Sequence, residues 1–426
     1  MNFTSFFAFS KVKFFISLQC ENLFDMTQED YQQLENSFLA KIKKINTRFV
    51  RYLYGNINWN VRLIGVKGAR GVGKTTLLLQ RIKLAYKETD TVFYASLDDL
   101  WFQSHSLPEL VEWLYQRGVR HLFLDEVHKY HDWQIILKNI YDTYGDLNVV
   151  YTGSSMLEID YSRADLSRRQ TLYTLHGLSF REYLELHKIH NTEILSLQQL
   201  LAEHQNIAMG ICKDIPVIKH FQHYLKEGYY PFQIDAKTEY LPRLAEIVRL
   251  VIETDMPDVE KFSYATIQKA KQLLMVVANN VPLTPNISKM SSQLETTRDM
   301  CLKLLYTLDR ADLILLLTKE VKDYKHLVNP EKMYLGNPNL MYALGGTVDV
   351  GTLRETFFLS QVSKIFNVRY PNHGDFMVDN TYLFEVGGKS KTFDQIKEIP
   401  NSWLAVDDIE IGSRNRIPLW MFGLLY

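Results

Sequence analysis

The stretch "GARGVGKT", Gly68–Thr75, decides the fold of this chain. It matches the pattern G-x-x-x-x-G-K-[ST] in full and lies between a strand-like run at 61–68 and a helical pattern at 75–87. In that setting Gly68, Gly71 and Gly73 allow a tight loop whose N–H groups, with the helix N-terminus that follows, form a cradle for phosphate oxygens. The sequence therefore predicts a phosphate-binding loop in a nucleotide-binding protein.

Three side chains at the end of this loop would complete the cradle. Lys74 would reach the β- and γ-phosphates, and the Thr75 hydroxyl would ligate Mg²⁺. Thr76 follows at the start of the helix, where we expect it to bind the nucleotide as well. The predicted ligands are ATP and Mg²⁺.

A second acidic motif follows in "HLFLDEVHK", 121–129. Asp125 at the end of its apolar run can hold Mg²⁺ through water, and Glu126 can polarise an attacking water. An acidic pair at a strand end is by itself more often a solvated loop. Downstream of a phosphate-binding loop it predicts a hydrolytic site.

Two further segments supply candidate nucleotide contacts. In "NVVYTGSS", 148–155, Ser154 or Ser155 would lie near the γ-phosphate, although small residues also make ordinary turns after strands. In "SRADLSRRQ" the chain carries Arg163, Arg168 and Arg169. Arginine suits the charge of a phosphoryl transition state, but clustered arginines are usually a solvated face.

Alternating strand and helix patterns set the fold class. Strand-like runs at 61–68, 91–98, 121–127 and 148–155 are separated by helical patterns, which predicts βαβ units and a parallel sheet with helices on both faces. Residues 165–250 are expected to be mainly helical, 255–345 to form short helices and a strand, and the segment from Leu353 onward to form a helix followed by strands.

Composition restricts the remaining function classes. The 426 residues are 46% hydrophobic and 23% charged, as in ordinary folded proteins, and 48 basic residues balance 49 acidic ones, so no global positive field indicates nucleic acid. The three cysteines form no metal pattern and fit a reducing, cytoplasmic location. We interpret residues 1–30 as an extension, with the more natural start near Met26, and no stretch is long and apolar enough for a membrane span.

Four segments in this order and spacing resemble a large prokaryotic family of AAA-type P-loop ATPases: "GARGVGKTTLLLQ", "LFLDEVHKYHDWQ", "VVYTGSS" and "GLSFREYLEL". The resemblance implies an ATPase domain at 31–235, a winged-helix domain at 236–345 and a restriction-endonuclease-like α/β domain at 346–426. It also implies that Lys74 and Thr75 are Walker A residues, that Asp125 and Glu126 are Walker B residues, and that Arg169 is a catalytic arginine. Here Arg168 stands where the family has glycine, and Gly177 where it has proline.

The winged-helix expectation concerns 281–319. A first helix is expected at 286–294, a second at 296–310, and "DLILLLT" as a wing strand. The second helix carries Arg298, Lys303 and Arg310, but also acidic residues, so DNA binding and protein packing both stay open.

In the last segment, three carboxylates resemble the metal ligands of PD-(D/E)xK nucleases: Glu355 on a helix, Asp375 at a strand start and Glu385 at a strand end. The lysine of that motif normally stands two residues after the glutamate, because a strand has a period of two. Here that position is Gly387, and Lys389 is the nearest replacement. This departure favours a retained nuclease-like fold over an active nuclease.

The sequence therefore predicts a cytoplasmic, Mg²⁺-dependent ATPase that couples nucleotide state to a winged helix and a nuclease-like module. One alternative is an ATP-dependent DNA nuclease in defence or mobile-element biology. The other is a nucleotide-dependent switch whose partner is a protein and which cleaves no DNA. DNA, other proteins and an oligomer stay open as partners, and a membrane is not expected.

Overall fold

A parallel sheet carries the phosphate-binding loop. The structure, a computed structural model, describes residues 27–87, 90–154, 166, 168–280, 282, 284–319, 328–345 and 347–426. Within these residues five parallel strands pair in the order β2-β3-β4-β1-β5. Their bounds are β1 Leu63–Gly68, β2 Val92–Ser96, β3 His121–Asp125, β4 Asn148–Ser154 and β5 Thr171–Thr174. The apolar runs of β1 to β4 are buried, as expected for a sheet that is covered on both faces.

Helices connect these strands and cover the sheet. The helix α1 begins after a capping box between Thr27 and Asp30, close to the predicted start near Met26. The expected parallel α/β architecture is confirmed, while residues 1–26 lie outside the described residues. The helices are α1 Gln28–Lys44, α2 Leu53–Asn56, α3 Lys74–Ala85, α4 Leu107–Gln116, α5 Trp133–Thr143 and α6 Phe180–Leu186.

Residues 168–250 are mainly helical, as expected, but they also contain the strand β5, which the sequence did not indicate. Its residues pair in parallel with β1 from Ile64↔Thr171 to Lys67↔Thr174. All four of its side chains are half-buried, so the strand shows no apolar run of the kind that marks β1. It pairs with the edge of β1 opposite to β4. This pairing joins residues that are distant in sequence, so local sequence periodicity does not indicate the strand.

A continuous helical arm, residues 240–260, follows the sheet domain. The helix α10 passes into a π-helical turn, Val251–Asp255, and then directly into α11. A π-helical turn inside a helix often marks a functional position. The helices of this region are α7 Leu197–Asp214, α8 Val217–Glu227, α9 Gln233–Ala236, α10 Tyr240–Leu250 and α11 Met256–Glu260.

Three helices and a two-stranded antiparallel sheet come next. The second and third helices lie where the winged-helix expectation put them, and the strand β6 falls within the expected "DLILLLT". The identity of this unit as a winged helix stays a prediction. The elements are α12 Tyr264–Asn280, α13 Ile287–Gln293, α14 Arg298–Arg310, β6 Ile314–Leu317 and β7 Lys332–Leu335.

The last part of the chain forms a mixed sheet in the order β12-β11-β10-β9-β8. The central strand β10 pairs in parallel with β11 and antiparallel with β9, and α16 packs against it. This helix-then-strands order agrees with the sequence expectation. The elements are α15 Pro338–Ala343, α16 Val350–Val362, β8 Val368–Arg369, β9 Phe376–Val378, β10 Tyr382–Gly387, β11 Ser402–Val406 and β12 Arg416–Pro418.

The three parts are not packed as separate globules. One continuous hydrophobic core includes residues from Leu34 to Leu425. The 3-10 turn Leu419–Leu424 is buried against α6, and the main-chain oxygen of Tyr426 accepts hydrogen bonds from Ser179 Oγ at 2.6 Å and Arg181 Nε at 3.0 Å. The "GLSF" segment of the ATPase resemblance is therefore the surface on which the last residues of the sequence dock.

A buried ion pair lies behind the phosphate-binding loop. The guanidinium of Arg51 forms a two-pronged contact with Glu182, with both N–O distances at 3.0 Å, and donates to the main-chain oxygen of Val72 at 2.6 Å. Arg51 also donates to the carbonyls of His176 and Gly177. Three segments that are distant in sequence, around Arg51, Val72 and 176–182, thus meet at one guanidinium.

We expect Glu182→Gln to lower the free energy of unfolding by about 3 kcal/mol, because it leaves the buried Arg51 charge without its counterion. Urea denaturation followed by tryptophan fluorescence measures this loss. Glu246→Gln is the matched control, since its ion pair with Arg249 is exposed and such pairs contribute less than about 1 kcal/mol. Equal losses for the two variants would contradict the assigned role of Glu182.

Candidate functional site

The phosphate-binding loop has the backbone that its glycines require. Gly71 and Gly73 have φ angles of 87° and 98°, which side chains other than glycine rarely adopt. A Cβ at position 71 would lie 3.2 Å from the ring of Phe232, and one at 73 would lie 3.7 Å from Pro231. A Pro-Phe pair just before α9 therefore lies over the loop, a contact that the sequence did not indicate.

Lys74 is buried at the first position of α3. Its ammonium donates to the main-chain oxygens of Gly68 and Ala69 at 2.9 and 3.2 Å and lies 4.0 Å from Glu126 Oε1. Burial lowers the pKa of Lys74, while the carboxylates around it act in the opposite direction. The loop carbonyls thus hold a cation at the place where the sequence predicts a phosphate-binding lysine.

Asp125 joins the two motifs at the carboxyl end of β3. Its Oδ2 accepts hydrogen bonds from Thr75 Oγ1 at 2.6 Å and from Tyr94 OH at 2.9 Å, and its Oδ1 accepts one from Thr152 Oγ1. The same Thr152 oxygen accepts from the amide of Glu126 at 3.1 Å. Tyr94 and Thr152 were not singled out from the sequence; both lie on strands that flank β3.

Glu126 has a left-handed backbone, with φ 54° and ψ 41°. Such a conformation in a residue other than glycine often marks a functional position. Burial raises the pKa of Glu126, which makes its carboxylate a stronger base. His128 Nε2 lies 3.5 Å from this carboxylate, and burial lowers the pKa of His128 to about 4, so its ring is neutral near pH 7.

The remaining nucleotide candidates fall into two groups. Ser154 is buried at the end of β4, where it pairs in register with Gly68, and Thr76 follows Thr75 in α3 with an exposed side chain. Ser155 and Arg163 lie outside the described residues.

Arg169 does not join this site within the chain. It forms a two-pronged contact with Asp142, with N–O distances of 2.8 and 3.1 Å. Asp142 lies near the end of α5, and Arg169 precedes β5, so both are at the amino ends of the strands while the phosphate-binding loop follows the carboxyl end of β1. Arg169 therefore forms an ion pair on the opposite edge of the sheet, and its catalytic role stays a prediction.

An ion-pair cluster from the helical arm reaches the site, and sequence reasoning missed it. Arg70, inside the loop, donates to both carboxylate oxygens of Asp255 at 3.0 and 3.1 Å. Lys129, three residues after Glu126, lies 3.4 Å from Asp255 and 2.6 Å from Asp258. The π-helical turn that presents Asp255 has no local sequence signature.

The three carboxylates of the last domain do not assemble as expected. Glu355 accepts a hydrogen bond from Tyr334 OH at 2.6 Å, and the ammonium of Lys332 lies 3.5 Å from Glu355 and 3.8 Å from Asp375. Among the described residues, no group of three or more His, Cys, Asp or Glu side chains is arranged to hold a metal ion. The expected metal site of Glu355, Asp375 and Glu385 is thus not found among the described residues: Glu355 and Asp375 share Lys332, and Glu385 pairs with Lys391.

Lys391, and not Lys389, supplies the charge beside Glu385. Its ammonium lies 2.5 Å from Glu385 Oε1. A Cβ at Gly387 would come within 2.8 Å of the Lys391 side chain, so the glycine leaves the space that Lys391 fills. The signal in the sequence was Gly387 itself, since a missing side chain admits one from elsewhere.

The helix α14 is engaged by the rest of the chain. Lys303 lies 2.8 Å from Glu260, and Arg310 donates to the same carboxylate, while Arg298 donates to Asn329 at 2.8 Å. Eight of its residues, from Cys301 to Asp309, are buried. The three cations considered for DNA contact therefore have protein partners.

Comparison with known proteins agrees with the nucleotide site. Residues 60–184 match the family model of an AAA domain. An uncharacterised protein of Methanocaldococcus jannaschii is 30% identical over 269 residues, which cover 59% of this chain and 56% of that protein. The chain thus spans little more than half of this relative, and residues 60–184 are similar to AAA domains.

Solved structures with similarity include DnaA from Aquifex aeolicus bound to AMPPCP, at 16% identity and a TM-score of 0.29, covering 71% of this chain and 87% of that one. PCH-2 of C. elegans is 18% identical with a TM-score of 0.25, covering 53% and 64%. TM-scores this low do not allow residues of this chain to be equated with residues of those proteins.

A search for membrane spans gives a negative result for the described ranges: none of their helices is long and apolar enough to cross a bilayer.

We expect Thr152→Val to lower the free energy of unfolding by about 1–3 kcal/mol, because the change keeps the side-chain shape but leaves Asp125 and the Glu126 amide without a shared partner. Urea denaturation measures the loss. Thr171→Val, on the half-buried edge strand β5, is the matched control and should change stability by less than about 0.5 kcal/mol. A silent Thr152→Val would contradict the role of Thr152 in holding the acidic pair.

Proposed function

We propose that this protein binds ATP at the loop Gly68–Thr75 and hydrolyses it. The single observation that carries this proposal is the hydrogen bond between Thr75 Oγ1 and Asp125 Oδ2 at 2.6 Å, which joins the loop motif and the acidic motif at one point. Two motifs that are distant in sequence meet there in the arrangement that phosphoryl transfer needs.

The oxygen atoms at this point suit Mg²⁺. A hydroxyl and a carboxylate are the ligand types that this hard cation takes, together with water and phosphate oxygens. Thr75 and Asp125 would therefore hold the ion, which would neutralise phosphate charge when bound. Tyr94 and Thr152 support the site by fixing both oxygens of Asp125.

Each side chain of the nucleotide site has a separate role in this proposal. Lys74, held between loop carbonyls and Glu126, exchanges those partners for phosphate oxygens, as do the N–H groups around Gly68, Gly71 and Gly73. Glu126 orients a water and accepts its proton, and its raised pKa suits that task. In this proposal Thr76 and Ser154 contact the nucleotide at the edges of the loop and of β4.

We expect Lys74→Ala to weaken ATP binding at least about 100-fold, because the loop then lacks its charge-assisted contact to the phosphates. Titration of a fluorescent ATP analogue measures the affinity. Lys83→Ala is the matched control on the same helix, since its ammonium donates only to the Ile45 carbonyl in this structure. Unchanged affinity in Lys74→Ala would overturn the proposal.

Hydrolysis is tested separately from binding. Glu126→Gln should retain ATP affinity within about threefold and lose at least about 100-fold in the rate of phosphate release, which is the expected loss when a general base is removed. Wild-type rates in the variant would leave binding intact and reject Glu126 as the base.

In this proposal the part of the chain after the ATPase domain packs against that domain, responds to its nucleotide state and cleaves no DNA. The cations of α14 are bound to Glu260 and Asn329, and the carboxylates of the last domain are bound to Lys332 and Lys391. Since these carboxylates do not fit a metal, no cleavage step is assigned to them. ATP-dependent DNA cleavage is the competing function, and the Glu385–Lys391 pair is the observation that favours it.

We expect supercoiled plasmid, added with ATP and Mg²⁺ or Mn²⁺, to stay supercoiled and to leave the rate of phosphate release unchanged within about twofold, because no free basic surface on α14 offers the several phosphate contacts that DNA binding needs. Gel electrophoresis and a phosphate assay read both outcomes. Nicking that is lost in Glu385→Ala and Lys391→Ala but kept in Lys389→Ala would establish the nuclease instead.

A further inference from the structure

A carboxylate of the helical arm binds the phosphate-binding loop as a phosphate group would. The guanidinium of Arg70 meets Asp255 with two parallel contacts, Nη2–Oδ1 at 3.0 Å and Nε–Oδ2 at 3.1 Å. Arginine uses this same fork to bind phosphate. Lys129 adds a second cation at 3.4 Å from Oδ1.

The position of Asp255 is inside the electrostatic field of the nucleotide site. Its side chain is only 5% exposed, while that of Arg70 is 37% exposed. Burial raises the pKa of Glu126, and the nearby charges of Asp125 and Asp255 add to this effect. Burial would also raise the pKa of Asp255, but the hydrogen bond and charge of Arg70, with Lys129, hold it below its ordinary value. Asp255 is therefore an ionised carboxylate near the atoms that receive the phosphates.

An anion of this kind competes with the terminal phosphate. The γ-phosphate carries negative charge next to Lys74, and a buried carboxylate nearby repels it and occupies the arginine of the loop. A conformation that must be opened before binding lowers the apparent affinity by the fraction of molecules that are open. ADP, which lacks the γ-phosphate, has less to gain from opening it.

The competing carboxylate belongs to an element that reaches α14. Asp255 ends the π-helical turn, α11 follows directly, and Glu260 at the end of α11 binds Lys303 and Arg310 of α14. Release of Asp255 from Arg70 would therefore remove a contact between the loop and an arm that is also held by the Lys129–Asp258 pair and, through Glu260, by α14.

We propose that Arg70 is a further nucleotide-binding residue, specific for the γ-phosphate, and that Asp255 holds it in the nucleotide-free state until ATP displaces the carboxylate. This inference rests on the proposed function and names how the same site distinguishes ATP from ADP. It also makes the arm, residues 240–260, the element that reports the bound nucleotide.

The first test measures ATP and ADP affinity in single and double variants. Asp255→Asn removes the competing charge and should raise ATP affinity by about tenfold, with ADP affinity changed by less than about threefold. Arg70→Gln should lower ATP affinity by about tenfold and spare ADP. In the Arg70→Gln background, Asp255→Asn should raise ATP affinity by less than it does in the wild type, because the contact it releases is already absent and only the charge repulsion is relieved.

The matched control is Glu253→Gln. Glu253 lies in the same π-helical turn but binds Lys271 and Arg249, so it should leave both affinities unchanged. If Asp255→Asn fails to fold, Arg70→Gln alone decides, since equal losses for ATP and ADP would overturn the γ-phosphate assignment.

Hydrogen exchange supplies a readout that a purely structural ion pair would not change. A non-hydrolysable ATP analogue should speed amide exchange at 251–260 in the wild type, whereas ADP should not, and Asp255→Asn should exchange fast in all states. An ATP preference in Asp255→Asn equal to the wild type would overturn this inference. If Lys74→Ala also kept its ATP affinity, the proposed function would fail with it; loss of ATP binding in Lys74→Ala would confine the failure to Asp255.

Discussion

The contact of Arg51 with Glu182 is the constraint on which the remaining architecture depends. Its guanidinium binds Val72 in the phosphate-binding loop, the carbonyls before α6 and the first turn of α6 itself. Because α6 also receives the main-chain oxygen of Tyr426, the loop and the last strand domain are fixed to one short helix. A charge with this little exposure stays in place only while every partner is present, so the segments around it form one cooperative unit.

The sequence predicted the parts of the site that local patterns encode. The loop, its lysine and threonine, and the acidic pair after β3 follow from glycine placement and from apolar runs that end in polar residues. Tyr94, Thr152 and Asp255 could not be predicted in this way, because each reaches the site through sheet order or through a π-helical turn. Strand β5 was missed for the same reason, since its half-buried residues show no apolar run and only pairing with β1 makes them a strand.

The last domain illustrates how a rule of spacing can fail while its physical reason holds. The resemblance to the nuclease motif places a lysine two residues after Glu385, on the same face of the strand, but that position is Gly387, and the lysine that contacts Glu385 is Lys391. A lysine from outside the strand supplies the charge instead. The turn after β10 brings the side chain of Lys391 over Gly387, which has no side chain to fill that space. Sequence spacing predicted the need for a cation beside the carboxylate, but not which lysine would provide it.

Two ion pairs contact the phosphate-binding loop, and their different exposure distinguishes a contact that stays fixed from one that a ligand can replace. Arg51 and Glu182 are 4% and 0% exposed, so no ligand can reach either partner, and water cannot replace a lost contact. Arg70 is 37% exposed while Asp255 is 5% exposed, so an incoming anion can approach the arginine while it is still paired. In the proposed mechanism, the first pair would hold the loop to α6 with or without nucleotide, and ATP would act on the side of the loop that faces Asp255. Because Arg51 and Glu182 anchor one side of the loop, exchange of Asp255 for a ligand on the other side would alter the helical arm without unfolding the sheet that carries the loop.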